Sequence, residues 1–326
     1  MTHQVTLLSG DWIGPECAAA VKKIIAAAGV DINWDEQKLT QGKISEPLLN
    51  SCRNTGVILK ARTAATPSVG LLPPTIQLRK ELGLWATVRP VKALDGVAAR
   101  FPETDVVVIR ETSEDIYSGF EHELTDGVFE AIKITTSGAC ERIARYGYEF
   151  ARKNGRKKVT IVHKSNIMKK SDGMFLRIAK KVAQEYPDIE TEEVIVDALC
   201  MKLVRWPQSF DVLLTLNLFG DIVSDLCSGL AGGITASPSA SYGDDIAMFE
   251  CLHGKAPELV GTGKANPIPL LNSAIMMLKH LGETEAAERI NSGIVLALAS
   301  GVRTGDLGGD HGCEDVTNAI IAGLTA

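Results

Sequence analysis

The segment Val106 to His122, VVVIRETSEDIYSGFEH, joins an apolar run to side chains able to do chemistry. Val106, Val107, Val108 and Ile109 have the length and β-branched content of a buried strand. Arg110, Glu111, Thr112, Ser113, Glu114, Asp115 and Tyr117 follow directly. Residues just past the carboxyl end of a buried strand face the ligand crevice in α/β proteins. An arginine, carboxylates and a phenol there suit a site that grips an anion and moves a proton. The plainer reading of this segment alone is a solvated loop after a core strand.

Other sets widen that reading. Arg79, Arg89 and Arg110 lie on or beside three successive predicted elements, a short helix at Thr75–Leu82, a strand at Trp85–Val91 and the Val106 strand. An unpaired charge close to a core is costly, so three such arginines point to a shared anionic ligand. Lys157–Lys164 is a predicted strand that delivers His163 and Lys164 to its end, with Asn166 just beyond. Asp221 and Asp225 stand at i and i+4 near the expected start of a helix, which puts both carboxylates on one face. Like charges at that spacing destabilise a helix unless a cation lies between them, although a first-turn position tolerates negative charge. Asp197 ends another predicted strand. Oxygen donors without Cys or His are what Mg²⁺ or Mn²⁺ prefers.

The elements that position these groups alternate strand and helix, which gives an α/β class. Val5–Leu8 followed by SGDWIGPE and a helical spacing from Cys17 to Ala28 is a typical opening of such a fold. Neither GxGxxG nor GxxxxGK[ST] occurs, so a nucleotide would bind by another device. Asp126-Gly127 marks a hairpin within Phe120–Thr136, and the small-residue stretch near residue 232 suits a return between domains. The chain has 326 residues, enough for two lobes, with 45% hydrophobic and 23% charged residues. A net charge of -6 argues against nucleic acid as a partner. No run suits a membrane span and no targeting segment is visible, so no membrane association is expected. Seven scattered cysteines without CxxC read as reduced thiols, and the cytoplasm is the expected compartment.

RETSEDIYSGFEH, VHKSNIMK, NLFGDIVSDL, HGKAPELVGTGKANP and TGDLGG, in that order, resemble the β-decarboxylating dehydrogenases, the isocitrate and 3-isopropylmalate dehydrogenase family. The likeness runs from SGDWIGPE to DLGG, and SEDIYSGFEH with VRPVKAL looks most like an isocitrate dehydrogenase. It implies a two-lobed α/β fold distinct from the Rossmann fold, with a cleft between the lobes. Residues 1–95 and 232–326 would form a large cofactor-binding lobe, and 96–231 a small lobe for substrate, metal and dimer contacts. It also implies a homodimer with shared active sites, each borrowing Lys164 and Asp197 from the other protomer, and Phe120–Thr136 would be an interlocking arm.

The same resemblance implies oxidative decarboxylation of a (2R)-hydroxy acid, isocitrate to 2-oxoglutarate and CO₂, with reduction of NAD. Arg79, Arg89 and Arg110 would hold substrate carboxylates. Asp197, Asp221 and Asp225 would hold Mg²⁺ or Mn²⁺, which lowers the pKa of the hydroxyl and later stabilises the enolate. Lys164 would take part in removing the hydroxyl proton and Tyr117 would protonate C3 as general acid. Asn166 would help position substrate and cofactor, and Thr75 lies where both are reached. Ile13, Thr75, His253, Gly254, Ala256, Pro257, Glu258, Leu259 and Asn266 would line the cofactor site. Glu258-Leu259 replaces the lysine-tyrosine pair that accepts a 2′-phosphate, so NAD is expected rather than NADP.

Four positions depart from the family pattern. Trp12 replaces a glycine in the first loop, Pro73 stands where isocitrate dehydrogenases carry serine, and Lys255 replaces Ser or Thr in HGxAP. DLGG continues as Asp310-His311-Gly312-Cys313-Glu314, which lacks the second pair a zinc site needs. The loss of the serine hydroxyl leaves homoisocitrate, 3-isopropylmalate and tartrate- or malate-like acids as alternative substrates, with Leu71 and Leu72 nearby. A non-catalytic regulatory subunit of a heteromeric isocitrate dehydrogenase is the alternative of another class. The intact Tyr117, Lys164, three arginines and three aspartates favour catalysis.

Overall fold

A computed structural model describes residues 2–39, 44–63, 72–233, 235, 237–252 and 254–325. In chain order the elements are β1 (His3–Leu8), α1 (Gly14–Ala27), β2 (Ile32–Gln37), α2 (Glu46–Thr55), β3 (Val57–Lys60), α3 (Pro74–Glu81) and β4 (Ala86–Lys92). There follow β5 (Asp105–Glu111), β6 (Glu121–Thr125), β7 (Val128–Ala131), α4 (Ser137–Lys153), β8 (Lys158–His163), α5 (Ser171–Ala183), β9 (Glu190–Ile195) and α6 (Val196–Arg205). The chain ends with β10 (Val212–Thr215), α7 (Asn217–Leu230), β11 (Ser239–Tyr242), β12 (Ala247–Glu250), α8 (Ile268–His280), α9 (Thr284–Ala299) and α10 (Cys313–Ala322). The architecture is mixed α/β, as the alternation of patterns predicts. No helix among the described residues is long and apolar enough to cross a membrane.

Two compact units divide the chain. One holds Met1–Gly83, Ala93–Pro102 and Gly232–Ala326, and the other Leu84–Lys92 and Glu103–Ala231. The sequence draws the first boundary at residue 95, whereas the structure assigns 84–92 to the middle unit and 93–102 to the unit of the chain ends. Strand pairing is the reason. β4 pairs antiparallel with β5 along its whole length, from Ala86 opposite Glu111 to Lys92 opposite Asp105.

In the unit of the chain ends the strands run in the order β2-β1-β3-β12-β11. All neighbours are parallel except β11 and β12. Parallel strands covered on both faces need continuous apolar runs, and Val57, Ile58 and Leu59 are buried accordingly. Val21, Ile24, Leu271, Ile290 and Ile320 from the helices pack into the same core as Leu59 and Phe249. In the middle unit the order is β4-β5-β10-β8-β9, parallel except for β4 and β5. Val106–Ile109 and Val212–Leu214 are fully buried there. β6 and β7 form the expected hairpin, with Gly127 at φ 74° in its turn, a left-handed value that glycine adopts freely. Their side chains are exposed, Phe129 by 66%.

Register also places charge in the core. β12 runs parallel to β3 with Glu250 beside Lys60, both 3% exposed at the side chain. Lys60 Nζ lies 3.0 Å from Glu250 Oε2, and Arg79 of α3 donates to Glu250 Oε1. Burial pushes the Glu250 carboxyl up, but Arg79 and Lys60 together overcome it and hold the group well below the usual carboxylate range. A carboxyl depressed in the folded state stabilises the protein above its unfolded value and loses that contribution as pH falls toward the folded one. Glu250→Gln strands two buried cations, so at pH 7 it should cost about 3–5 kcal/mol. Urea unfolding at pH 7 and near pH 4 should show the gap from the parent protein narrowing in acid; a constant gap would refute an ionised Glu250 as its source.

Candidate active site

Arg110 sits next to last on β5, 2% exposed, and the first turns of α7 are built around it. Its Nε and Nη2 both donate to Asn217 Oδ1, at 2.9 and 2.6 Å, and its Nη1 pairs with Asp221 Oδ1. The guanidinium lies 5.0 Å from the centre of the Tyr117 ring, a cation–π contact. Tyr117 Oη donates to Asp221 Oδ2 at 2.6 Å. Arg89 on β4 donates through Nη1 to Ser224 Oγ at 2.5 Å and Asp225 Oδ1 at 3.0 Å, and its Nη2 is 3.7 Å from Asp221 Oδ1. The structure thus brings Arg89, Arg110, Tyr117, Asp221 and Asp225 together within the middle unit. Asn217 and Ser224 complete the set without having been assigned roles from sequence.

Glycine makes this packing possible. A Cβ on Gly220 would lie 2.3 Å from Thr215 Oγ1 and 2.6 Å from Arg110 Cγ. The glycine of NLFGD therefore lets α7 close onto the stem of Arg110.

Electrostatics assigns the protons. Burial pushes the Tyr117 phenol up, its bond to Asp221 adds to this, and Arg110 opposes it, leaving the net shift upward. The phenol therefore keeps its proton at neutral pH. Burial would raise Asp221, yet Arg110, Tyr117 and Arg89 together lower it, so its carboxylate is ionised. The helix N-terminus is not what tolerates these acids: α7 begins at Asn217, which puts Asp221 beyond the first turn. Two arginines balance the two aspartates instead.

Lys164 and Asp197 form a second set. Lys164 Nζ donates to Asp197 Oδ1 at 2.5 Å, and that bond lowers the Asp197 carboxyl. Asp197 does not end a strand as the sequence suggests. β9 stops at Ile195 and Asp197 lies in the first turn of α6, its side chain 68% exposed. Asn166 is exposed in the turn after β8. Among the described residues no three acidic, histidine or cysteine side chains converge on a metal site. Asp221 and Asp225 nonetheless supply oxygen donors of the kind hard cations take, so the donor chemistry fits Mg²⁺ or Mn²⁺ while one chain brings two carboxylates, not three.

The remaining candidates belong to the unit of the chain ends. Arg79 is engaged by Glu250, so all three arginines have carboxylate partners within the chain. That corrects the premise that they are unpaired. Thr75 is half-buried in the first turn of α3, and Ile13 is buried, its side chain a core residue ahead of α1. His253 and Leu71 lie outside the described residues. Gly254 and Glu258 are exposed, Ala256 has φ 43°, and Pro257–Leu259 form a 3₁₀ turn whose Leu259 packs on the core. Asn266 is buried and donates to Asp306 Oδ2 at 2.8 Å, while its Oδ1 accepts from Ile268 N at 3.0 Å. Asp306, from the TGDLGG block, is a neighbour of the loop that the sequence reading left without a role. Two departures from the family pattern meet here: Lys255 Nζ lies 5.3 Å from the centre of the Trp12 ring.

Gly220 yields a controlled comparison within one helix, because a Cβ at Gly229 would meet nothing within 4 Å. Gly220→Ala should destabilise by roughly 2 kcal/mol or more through displacement of Arg110. Gly229→Ala should stabilise by about 0.5–1 kcal/mol. Denaturant midpoints test both, and equal effects at the two positions would refute this account of the Arg110 packing.

Residues 4–320 match the family model described as isocitrate/isopropylmalate dehydrogenase. The chain is 45% identical over 324 residues to the NAD isocitrate dehydrogenase catalytic subunit 5, mitochondrial, of Arabidopsis thaliana, covering 97% of this chain and 87% of that protein. It is 41% identical to a mitochondrial NAD isocitrate dehydrogenase regulatory subunit of Dictyostelium discoideum, covering 99% and 92%. Among solved structures, isocitrate dehydrogenase from Methylococcus capsulatus matches with a TM-score of 0.92 at 39% identity, over 99% of this chain and all (100%) of that one. Together with the arginine, aspartate and tyrosine cluster, these matches show that the chain belongs to the isocitrate/isopropylmalate dehydrogenase family.

Proposed function

We propose that the protein is an NAD-dependent isocitrate dehydrogenase, converting isocitrate to 2-oxoglutarate and CO₂. One observation carries the reading: Arg89 on β4, Arg110 on β5, Asp221 and Asp225 on α7 and the protonated phenol of Tyr117, in the turn after β5, form one cluster. Arg89 and Arg110 bind substrate carboxylates, with Arg79 as the third grip. Asp225, Asp221 and Asn217 already orient both guanidiniums, and a substrate carboxylate takes over bonds these residues make in the free chain. Tyr117 holds a proton and delivers it to C3 after CO₂ is lost. Lys164 takes part in removing the hydroxyl proton, and Asn166 and Thr75 help position substrate and cofactor.

Asp221 and Asp225 would hold Mg²⁺ or Mn²⁺ together with the partner's Asp197, and that cation supplies Lewis-acid polarisation of the hydroxy acid. NAD, which supplies the hydride acceptor, is proposed to lie along Gly254–Leu259, Asn266 and the Ile13 loop, with His253 beside it. Glu258 is exposed at the turn where a free ribose 2′-hydroxyl is accepted and a phosphate repelled.

The family resemblance supports a homodimer with shared sites, in which Lys164 and Asp197 serve the other protomer's site. Exposed apolar side chains support it as well: Phe120 and Phe129 at and on the hairpin, Met201 and Val204 on α6, and Ile222 on α7. The Dictyostelium relative's name keeps a regulatory role in a heteromeric enzyme open as the second reading. Seven free cysteines suit a reducing compartment, and we propose the cytoplasm, although the relatives named above are called mitochondrial.

Purified protein with Mn²⁺ and NAD, offered isocitrate, homoisocitrate, 3-isopropylmalate, malate and tartrate, should reduce NAD with isocitrate at a kcat/KM at least about tenfold above the others. Preference for another acid would replace the substrate. Absence of turnover with ligand binding retained would favour the regulatory reading.

The cofactor assignment has its own test. Glu258→Lys combined with Leu259→Tyr should shift the NAD/NADP ratio of kcat/KM by about tenfold or more toward NADP. An unchanged ratio would sink that assignment.

A further inference from the structure

The middle unit holds two buried carboxylates and a half-buried lysine that the proposed chemistry does not use. Asp115 is 2% exposed, Asp172 is fully buried, and the side chain of Lys133, near the end of the arm, is 16% exposed. Lys133 Nζ lies 3.1 Å from Asp115 Oδ2, 3.4 Å from Asp172 Oδ1 and 5.4 Å from the centre of the Phe219 ring. Each carboxylate reaches a different segment of chain. Asp115 accepts from Ile116 N at 2.8 Å and from Leu218 N at 3.0 Å, and its own N–H donates to Ile134 O at 2.9 Å. Asp172 Oδ2 accepts from the backbone N–H of Lys164 at 2.7 Å.

The backbone at Asp115 is held out of its ordinary range, φ 74° and ψ -157°, two residues before Tyr117. That region is almost exclusive to glycine, and such strain persists only where the surroundings over-determine it. A fold staple alone would not call for this arrangement, since apolar residues of similar volume often replace a buried ion triad at no cost in stability.

We infer that Lys133 is a positioning residue that ties the turn carrying Tyr117 to the segment carrying Lys164. Through Asp115 it fixes where the phenol starts, and through Asp172 it fixes the backbone of Lys164. Resting on the shared-site dimer proposed above, the Tyr117 and Lys164 of one chain serve different active sites. One half-buried lysine then sets proton-transfer geometry in both.

Lys133→Met, Lys133→Arg and Asp172→Asn test this in the intact protein. Lys133→Met leaves two carboxylates without their cation, so Asp172→Asn, which keeps an acceptor oxygen for the Lys164 N–H, decides the matter if that variant fails to fold. Amide hydrogen exchange should quicken both at 116–119 and at 164–168. With isocitrate, Mn²⁺ and NAD, kcat should fall on the order of 10- to 100-fold while KM moves less than about threefold, and Lys133→Arg should recover most of the loss. Exchange unchanged in either segment, or an unchanged kcat, in folded Lys133→Met or Asp172→Asn would overturn the inference. Absence of turnover in the parent protein would instead defeat the functional reading and leave the exchange measurement to judge this one.

Discussion

An arginine buried at the end of a central strand needs a counter-charge within reach, and the middle unit is arranged around that need at Arg110. A guanidinium has five N–H donors in a fixed fork, so partial satisfaction leaves buried polar atoms exposed to a large penalty. Asn217 takes two of those donors and Asp221 a third, both from the start of α7. Gly220 between them lets the helix approach closely enough. Tyr117 then stacks beside the guanidinium and bonds the other Asp221 oxygen. The Tyr117 phenol thus owes its position to the way one cation is neutralised, while burial and its bond to Asp221 keep its proton against the pull of Arg110.

The same constraint recurs at Arg89, which pairs with Asp225, and at Arg79, which shares Glu250 with Lys60. All three guanidiniums are oriented before any ligand arrives. If the arginines bind substrate as proposed, a ligand carboxylate competes with an internal one, and selectivity would come from the difference between those two pairings rather than from raw charge. Asp225, with a side chain 73% exposed, is the partner most easily exchanged, whereas Glu250, at 3%, is fixed. Arg79 is thus held by a buried carboxylate, and Arg89, itself buried, by an exposed one.

Much of this was legible in the sequence because short-range chemistry wrote it. The apolar runs at Val57 and Val106 are strands and Asp126-Gly127 is a hairpin turn, whereas the meeting of Arg110 and Tyr117 with Asp221, and of Arg89 with Asp225, across more than 100 residues was implied only by the family resemblance. What was not legible is set by pairing across distant segments. The seven-residue ladder between β4 and β5 moves the unit boundary away from residue 95, and no local pattern near 95 encodes it. Asp197 reads as a strand end because Val194, Ile195 and Val196 are β-branched, yet the helix starts at Val196. Glu250 carries no local signal of its role, and only the register with Lys60 shows it as a buried counter-ion. Lys133 looks like a solvated arm residue and Asp172 like a helix-start acid until both are seen on one ion triad.

Trp12 and Lys255 show how two unrelated-looking departures become one feature. Trp12 holds φ 52°, a left-handed backbone that a glycine occupies without cost and a bulky residue does not. Alone, the tryptophan is an unfavourable replacement in a tight loop. Lys255, alone, places an exposed ammonium in the turn ahead of Ala256, whose φ of 43° is also left-handed. With the ammonium 5.3 Å from the indole, each side chain gives the other an electrostatic partner worth about 0.5–1 kcal/mol at an exposed site. That is of the same order as the backbone cost at Trp12, roughly 1–2 kcal/mol. The contact therefore recovers part of the backbone cost at Trp12 and couples the two departures in one feature.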